Sequence, residues 1–553
     1  MKRLLLAATA LLLAGPADAA KTLVVNANGY TLDTEGNMRR FSTLFVGDDG
    51  KVLAILPKGA AEPKLVAGDF KLDARGRTLI PGLIDAHGHV MALGLGLRQL
   101  DLSAAGSLAE AQAKIAEHAA RDTSTGWIRG RGWNQVSWGL GRMPTAAELD
   151  AAHSARPVWL SRVDGHAGWA NSAALKAAGI TKATRDPAGG RILRDAAGNP
   201  TGVLIDSAMD LVDKVAPPPS AGEREKAFEA ALDHLASVGL TGVHDMGTSA
   251  DDWALFRTFG DEGRLTLRIT AYAAGMPAME AISPLRPTPW LYGGRLKLQG
   301  IKLYTDGALG SRGAFLLKPY SDEAGTRGLQ FLDEAKIKNL FSRSNFLGYQ
   351  VAAHAIGDAA NRQALDAFAE IRPAYGDRFR NRIEHAQVID TADIPRFADL
   401  QVIASVQPTH ATSDKAMAGE RLGDTRLEGA YAWMRLRQAG VKLALGSDFP
   451  VEPANPFYGL HAAVTRQDRQ NQPPGGWRPQ EALTMQQAFA GFTTDAAWAG
   501  GMEGKVGVLQ EGAHADFLLL DRDPFAIPAT DLPQVAVEET WVDGRRVYVK
   551  KSR

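Results

Sequence analysis

Short apolar runs separated by polar, glycine-rich turns recur along this chain at two spacings, and each spacing predicts its own architecture. Near the start, Lys21 to Val25, Ser42 to Val46 and Lys51 to Leu56 are β-type runs divided by Gly and Asp turns. The C-terminal part repeats the pattern in Asp516 to Leu520, Glu539 to Val542 and Arg546 to Val549, with Asp543-Gly544 as the hairpin signal between the last two. Sheet pieces at both ends predict one small β-sandwich domain built from both termini, residues 21–80 plus 505–553.

Between them, apolar strands alternate with helical segments: Thr78 to Ile84, Thr241 to Asp245, Arg268 to Ala273, Leu296 to Leu303, Tyr349 to Ala353, Arg382 to Ile383, Val402 to Val406 and Val441 to Leu445. Repeated βα units favour a parallel sheet, and this many favour a closed barrel, so the predicted fold class is α/β, a (β/α)8 TIM-like barrel over residues 81–504. The Trp-, Gly- and Pro-rich interval of about 100–220 is too long for one βα repeat and predicts an insertion near the barrel mouth.

Residues 1–20 change the picture of where the protein works. Lys2 and Arg3 precede the apolar run Leu4 to Leu13, and Ala17-Asp18-Ala19 gives a small-x-small cleavage site, the pattern of a signal peptide. The run is about half of the roughly 20 residues a spanning helix needs. Export to the periplasm or the medium, without a membrane anchor after cleavage, is therefore expected. The 553 residues contain no cysteine, which removes disulfides, thiolate metal sites and a cysteine nucleophile. Lys plus Arg and Asp plus Glu each total 62, so charge gives no reason to expect nucleic acid as a partner. A small-molecule substrate is expected, with a homodimer the default assembly.

The chemistry is concentrated at strand ends. The first barrel strand runs into His87-Gly88-His89, whose alternate histidines share a face in extended chain. Three later strands end in His354, His385 and Asp448, and in a barrel these ends converge on the face that carries active sites. Each alone is equally well a capped turn or a core histidine; the joint pattern points to a metal centre. Lys302 lies inside a β run and either pairs with a neighbour such as Asp306 or, once neutral, reacts with carbon dioxide to give an anionic carbamate able to bridge two cations.

The segments Pro81 to His89, Lys302 to Arg312, Ala353 to Asp358, Arg382 to Gln387 and Gly446 to Pro450 resemble those of the amidohydrolase superfamily, in the long-chain branch that includes N-substituted formamide deformylases. Gly504 to Gly507 and Gly512 to Asp516 resemble the return into that family's sandwich. The resemblance implies that His87, His89 and Asp448 hold one metal, His354 and His385 a second, and carboxylated Lys302 bridges both. Zinc is the default for one or two sites per chain, with manganese, iron or nickel suited to the same ligands.

It further implies hydrolysis of a non-peptide carbon–nitrogen bond, amide or formamide, by metal-activated hydroxide, with Asp448 as the group that takes and returns the proton. His410 and Arg312 are candidate catalytic donors to the oxyanion, and Trp133, His166 and Trp169 are candidate pocket residues in the insertion. His244 ends another strand without a counterpart in the family's ligand pattern and stays outside the set. Alternatives are hydrolysis of a cyclic amide, an ester or a dipeptide-like bond, or a catalytically silent exported binding protein.

Overall fold

The computed structural model describes residues 20–33, 35–122, 126–135, 137–162, 167–187, 190–310 and 312–551. The expected signal peptide, apart from Ala20, lies outside the described residues, as does His166. Among the described residues no helix is long and apolar enough to cross a membrane. The chain forms two compact units, Met1–Val90 with Ala231–Arg553, and Met91–Ala230.

The first unit contains a (β/α)8 barrel. Its strands are β1 (Leu83–Gly88), β2 (Leu240–Thr248), β3 (Arg268–Ala274), β4 (Leu296–Tyr304), β5 (Gln350–Ala355), β6 (Arg382–His385), β7 (Ile403–Val406) and β8 (Leu443–Leu445). They pair in parallel in sequence order. The circle is completed by a parallel bridge from Gly88 to Phe449, where His89 N–H donates to Phe449 O at 2.9 Å and Asp448 N–H to His87 O at 2.7 Å. Parallel strands covered on both faces read as continuous apolar runs, and β5, β6, β7 and β8 are buried at every position. Helices start where the sequence supplies caps. Ser249 and Asp252 form a reciprocal capping box at the head of Ala250–Asp261, which buries Trp253, Phe256 and Phe259.

The same unit holds the sandwich. One sheet orders Val52–Leu56, Thr43–Val46, Thr22–Val25 and Phe70–Asp73; the other orders Arg545–Val549, Val537–Val542, Phe517–Leu520, Thr78–Pro81, Asn28–Leu32 and Met38–Phe41. Strands from both ends of the chain therefore share one sheet, and Val24, Leu44, Leu79, Phe517, Leu519 and Trp541 pack a common core. The run expected as one strand from Thr78 to Ile84 is two: it breaks at Gly82, with Thr78–Pro81 in the sandwich and Leu83 onward in the barrel. A Cβ at Gly82 would lie 2.1 Å from Thr241 Oγ1, so only glycine allows the chain to cross there.

Arg268, at the start of β3, ties barrel to sandwich. Its Nε donates to Asp516 Oδ2 at 2.6 Å, and its Nη2 to Asp516 Oδ1 at 2.8 Å and to Asp543 Oδ1 at 2.6 Å. Arg268 and Asp516 are both buried.

The second unit is built on a mixed six-stranded sheet: Gly190–Arg194, Pro200–Asp206, Ala167–Ala170, Val158–Arg162, Ile128–Trp133 and Leu100–Asp101. It corrects the expected pocket role of Trp133 and Trp169. Both side chains are fully buried in its apolar core, with indole N–H groups donating to Leu160 O and Thr145 O at 2.8 Å each. A buried indole needs such a partner, and one enclosed on all sides lines no opening.

Arg268→Ala removes one side of a buried, hydrogen-bonded ion pair and leaves Asp516 without its cation, while Asp543 keeps Arg295 at 2.9 Å. Denaturant unfolding should show a loss of about 3–5 kcal/mol. A loss below about 1 kcal/mol would mean that the pair does not hold the two layers together.

Candidate metal centre

The strand ends bring the six expected ligands together inside the first unit. His87 Nε2 lies 3.5 Å and His89 Nε2 3.0 Å from Asp448 Oδ1. Lys302 Nζ is 3.2 Å from His87 Nε2. The His385 ring centroid is 4.9 Å from that of His87 and 4.6 Å from that of His354. The tightest mutual set is His87, His385 and Asp448, whose ligand atoms lie within 4.8 Å of one another, so the closest cluster draws from both of the groups that the resemblance implies.

Backbone geometry achieves this where simple alternation would not. His87 and His89 share a face because they are two apart on β1 and its exit. Glu384 and His385 are adjacent on β6 and would face opposite ways in a regular strand. His385 has φ 72° and Ala386 φ 42°, and this left-handed turn sends His385 into the same site as Glu384. Asp448 likewise has φ 62°. Residues in this region cost about 1–3 kcal/mol each and persist only when their surroundings over-determine them.

Those surroundings are hydrogen-bonded. Asp85, fully buried between Ile84 and Ala86, accepts from Ser447 Oγ at 2.6 Å and from the N–H groups of Ser447 and His87 at 3.0 Å, fixing the turn that carries Asp448. Burial pushes its carboxyl up to about 7 in spite of these bonds. Asp306 does the same beyond β4, accepting from the N–H groups of Phe315, Ile356 and Gly357 at 2.8–3.0 Å, and burial raises it also to about 7. Asp306 is thus engaged by backbone rather than by Lys302.

Two histidines of the cluster are oriented through their other nitrogen. His87 Nδ1–H donates to Glu384 Oε2 at 2.7 Å and His385 Nδ1–H to Gln407 Oε1 at 2.8 Å, which leaves both Nε2 lone pairs facing the cluster. Burial and the Lys302 charge lower His87 to about 4 and His354 to about 3, and burial with its neighbouring histidines holds His385 well below the ordinary range. The imidazoles are therefore neutral at pH 7, as ligands must be. Burial alone would raise Asp448, but His87, His89, His385 and His410 keep it an anion well below the usual carboxylate range. Burial lowers Lys302 to about 8.

This donor set fits a divalent cation. Neutral imidazoles and one carboxylate suit a borderline metal, while His354 Nε2, buried without a hydrogen bond, stands 3.4 Å from Asp306 Oδ1. His410 Nε2 is likewise buried and unpartnered, 3.7 Å from Asp448 Oδ2, with its ring stacked 5.9 Å from His385. Arg312 is revised. Its guanidinium pairs with Asp322 at 3.0 Å and Glu323 at 3.2 Å, which engages it away from the cluster of His87, His385 and Asp448.

A model of the "Amidohydrolase family" matches residues 72–548. The chain belongs to the amidohydrolase family. This amidohydrolase is 33% identical over 550 residues to Protein LONG AFTER FAR-RED 3 of Arabidopsis thaliana, covering 96% of this chain and 92% of that one. It is 28% identical over 548 residues to N-substituted formamide deformylase of Arthrobacter pascens, covering 94% and 97%. An uncharacterized metal-dependent hydrolase from Pyrococcus horikoshii OT3 superposes with a TM-score of 0.77 at 28% identity, covering 92% and 99%. Family and neighbours make the chain a hydrolase whose His, His and Asp cluster is a candidate metal site.

Sequence reading assigned no role to four residues that shape this amidohydrolase's site. Asp85, Arg382 and Glu384 are charged residues embedded in apolar strands, the same anomaly that singles out Lys302. Tyr304, at the end of β4, is 47% exposed with its ring 5.3 Å from that of His354. An aromatic at a strand end gives no such signal in sequence.

Gly88→Ala tests the closure of the barrel. The new Cβ would lie 2.3 Å from the Phe449 ring. Displacing that ring should cost about 1–3 kcal/mol by thermal unfolding and lower the cation content of the purified protein. Gly419→Ala, at an exposed helix position that meets only Leu427 at 3.9 Å, is the control expected to leave cation content unchanged and to raise stability by about 0.5–1 kcal/mol.

Proposed function

We propose that this chain is an exported, metal-dependent hydrolase that cleaves an amide or formamide carbon–nitrogen bond in a small molecule. The observation that carries the reading is the convergence of His87, His89, His354, His385 and Asp448 on the one lysine, Lys302, at the barrel's strand ends. Similarity to a formamide deformylase across 94% of the chain supports the bond type.

His87, His89, His354, His385 and Asp448 would hold zinc or a similar divalent cation, whose chemistry is to lower the pKa of bound water and polarise a carbonyl. Lys302 supports a second cation after carboxylation: its neutral amine attacks carbon dioxide, the new N–C bond forms as a proton leaves nitrogen, and the product is a carbamate anion with two oxygens. Lowering to about 8 leaves roughly a tenth of the amine neutral at pH 7, against far less for an exposed lysine. Asp448 accepts the proton released on attack and returns it to the leaving nitrogen. His410 Nε2, next to Asp448 Oδ2, is the side-chain donor for the oxyanion.

The deciding experiment is metal analysis of the mature protein beside Lys302→Ala and Asp448→Asn, followed by a screen of formamides, linear and cyclic amides, esters and dipeptides. Near two cations per chain, falling toward one in Lys302→Ala, is expected, with Asp448→Asn lowering kcat/KM by about 10²–10⁴-fold. One cation or none, unchanged in Lys302→Ala, overturns the bridged site. Turnover confined to esters or dipeptides, or ligand binding without turnover, overturns the proposed bond type, whereas turnover confined to cyclic amides keeps the carbon–nitrogen bond and replaces a linear substrate with a ring. Export is tested by N-terminal sequencing of the periplasmic fraction, and a homodimer by light scattering.

A further inference from the structure

Arg382 is fully buried in the barrel interior, a place that branched apolar side chains normally fill. Its donors reach four other strands as well as its own. Nη1 donates to His244 Nδ1 at 2.8 Å and approaches the Tyr272 hydroxyl at 3.4 Å, while Nη2 donates to Ala86 O at 2.7 Å and Ser405 Oγ at 2.5 Å. On β6 itself, Nε donates to Glu384 Oε1 at 2.5 Å and Nη2 to Glu384 Oε2 at 3.1 Å. A guanidinium only donates, so the Nδ1 of His244 accepts, and this histidine faces Arg382 as a neutral ring. That accounts for a strand-end histidine that joins no ligand cluster.

Replacing a buried ion pair with apolar groups is often neutral or stabilising, so stability alone is a poor reason for Arg382 and Glu384 to lie here. What the pair touches supplies a better one. Glu384 Oε2, held by Arg382, is the atom that accepts the Nδ1–H of His87. A carboxylate can only accept, which fixes the proton on Nδ1 and presents the Nε2 lone pair toward Asp448 and Lys302.

We infer that Arg382 and Glu384 are positioning residues, a buried relay that sets the tautomer and orientation of His87 and thereby the affinity of the centre for its cation. Arg382 touches no ligand and acts through Glu384. The inference rests on the metal-centre reading above but needs no knowledge of the substrate.

The test is titration of the chelator-stripped full chain with Co²⁺ and Zn²⁺, without substrate, following the visible Co²⁺ spectrum and comparing wild type with Glu384→Gln, Arg382→Met and the double variant. Thermal unfolding of the metal-free forms checks the fold. Glu384→Gln keeps the side chain's shape but leaves buried Arg382 without its carboxylate, so the melting temperature should fall while the variant stays folded at the titration temperature, and cation binding should weaken about 10–100-fold, with a shifted Co²⁺ spectrum. If Arg382→Met acts through Glu384, the double variant should lose no more affinity than the weaker of the two single variants. Should Arg382→Met not fold, Glu384→Gln alone decides. Unchanged affinity and spectrum in folded Glu384→Gln, beside a wild type that binds, overturns the relay while leaving the metal centre intact. A wild type that binds neither cation overturns both.

Discussion

The guanidinium of Arg382 lies at full burial in an apolar barrel, and a buried charge has to be satisfied on every side. Its hydrogen bonds to Ala86, His244, Glu384 and Ser405 therefore fix strands that are far apart in sequence relative to one another. The same requirement recurs wherever this unit buries an ionisable group. Asp85 gathers the turn before Asp448, Asp306 gathers the segments beyond β4 and β5, and Arg268 gathers Asp516 and Asp543 from the sandwich. Each group that is expensive to bury has become a point where separate segments are pinned, and the candidate centre sits among three of them.

Pinning is what permits the backbone to depart from regular strand geometry. A β strand delivers residues to a site at every second position, which suffices for His87 and His89 but not for Glu384 and His385 together. The left-handed φ at His385 and Asp448 supplies the missing ligands at a conformational cost. Hydrogen bonds from Ser447 to Asp85 and from His385 to Gln407 hold those conformations. Left-handed backbone also occurs away from the centre, at Tyr292, Arg466 and Arg478 among others, but at His385 and Asp448 it brings a candidate ligand into the cluster.

Periodicity made the barrel legible, because eight apolar runs separated by helical segments have few other solutions. The two-ended sandwich was legible from its hairpin signals. Finer features were not. The break at Gly82 hides inside an unbroken apolar run, since its cause is the close approach of Thr241, a contact between residues far apart in sequence. Of the site, ligands at strand ends could be read because topology places strand ends together. Arg312 could not be placed from its neighbours in sequence, because Asp322 and Glu323 compete for it across a loop. The tryptophans of the insertion misled for a related reason: Trp and Gly segments describe a packed core as well as a pocket, and only burial separates the two.

Reaction class and substrate choice are written in different residues here. The candidate ligands and their supports are largely buried and leave little surface for telling one substrate from another. Discrimination requires side chains that touch open space beside the centre. Tyr304 is such a residue: it is half exposed, follows Lys302 by two positions on β4, and sets its ring against His354 and within 5.1 Å of the Lys302 amine. A polar tip on an apolar ring can pack against a substituent and bond to it at once. Relatives with the same buried ligands can therefore differ in substrate through the few exposed groups at the strand ends, which is why family membership gives the chemistry more firmly than the molecule it acts on.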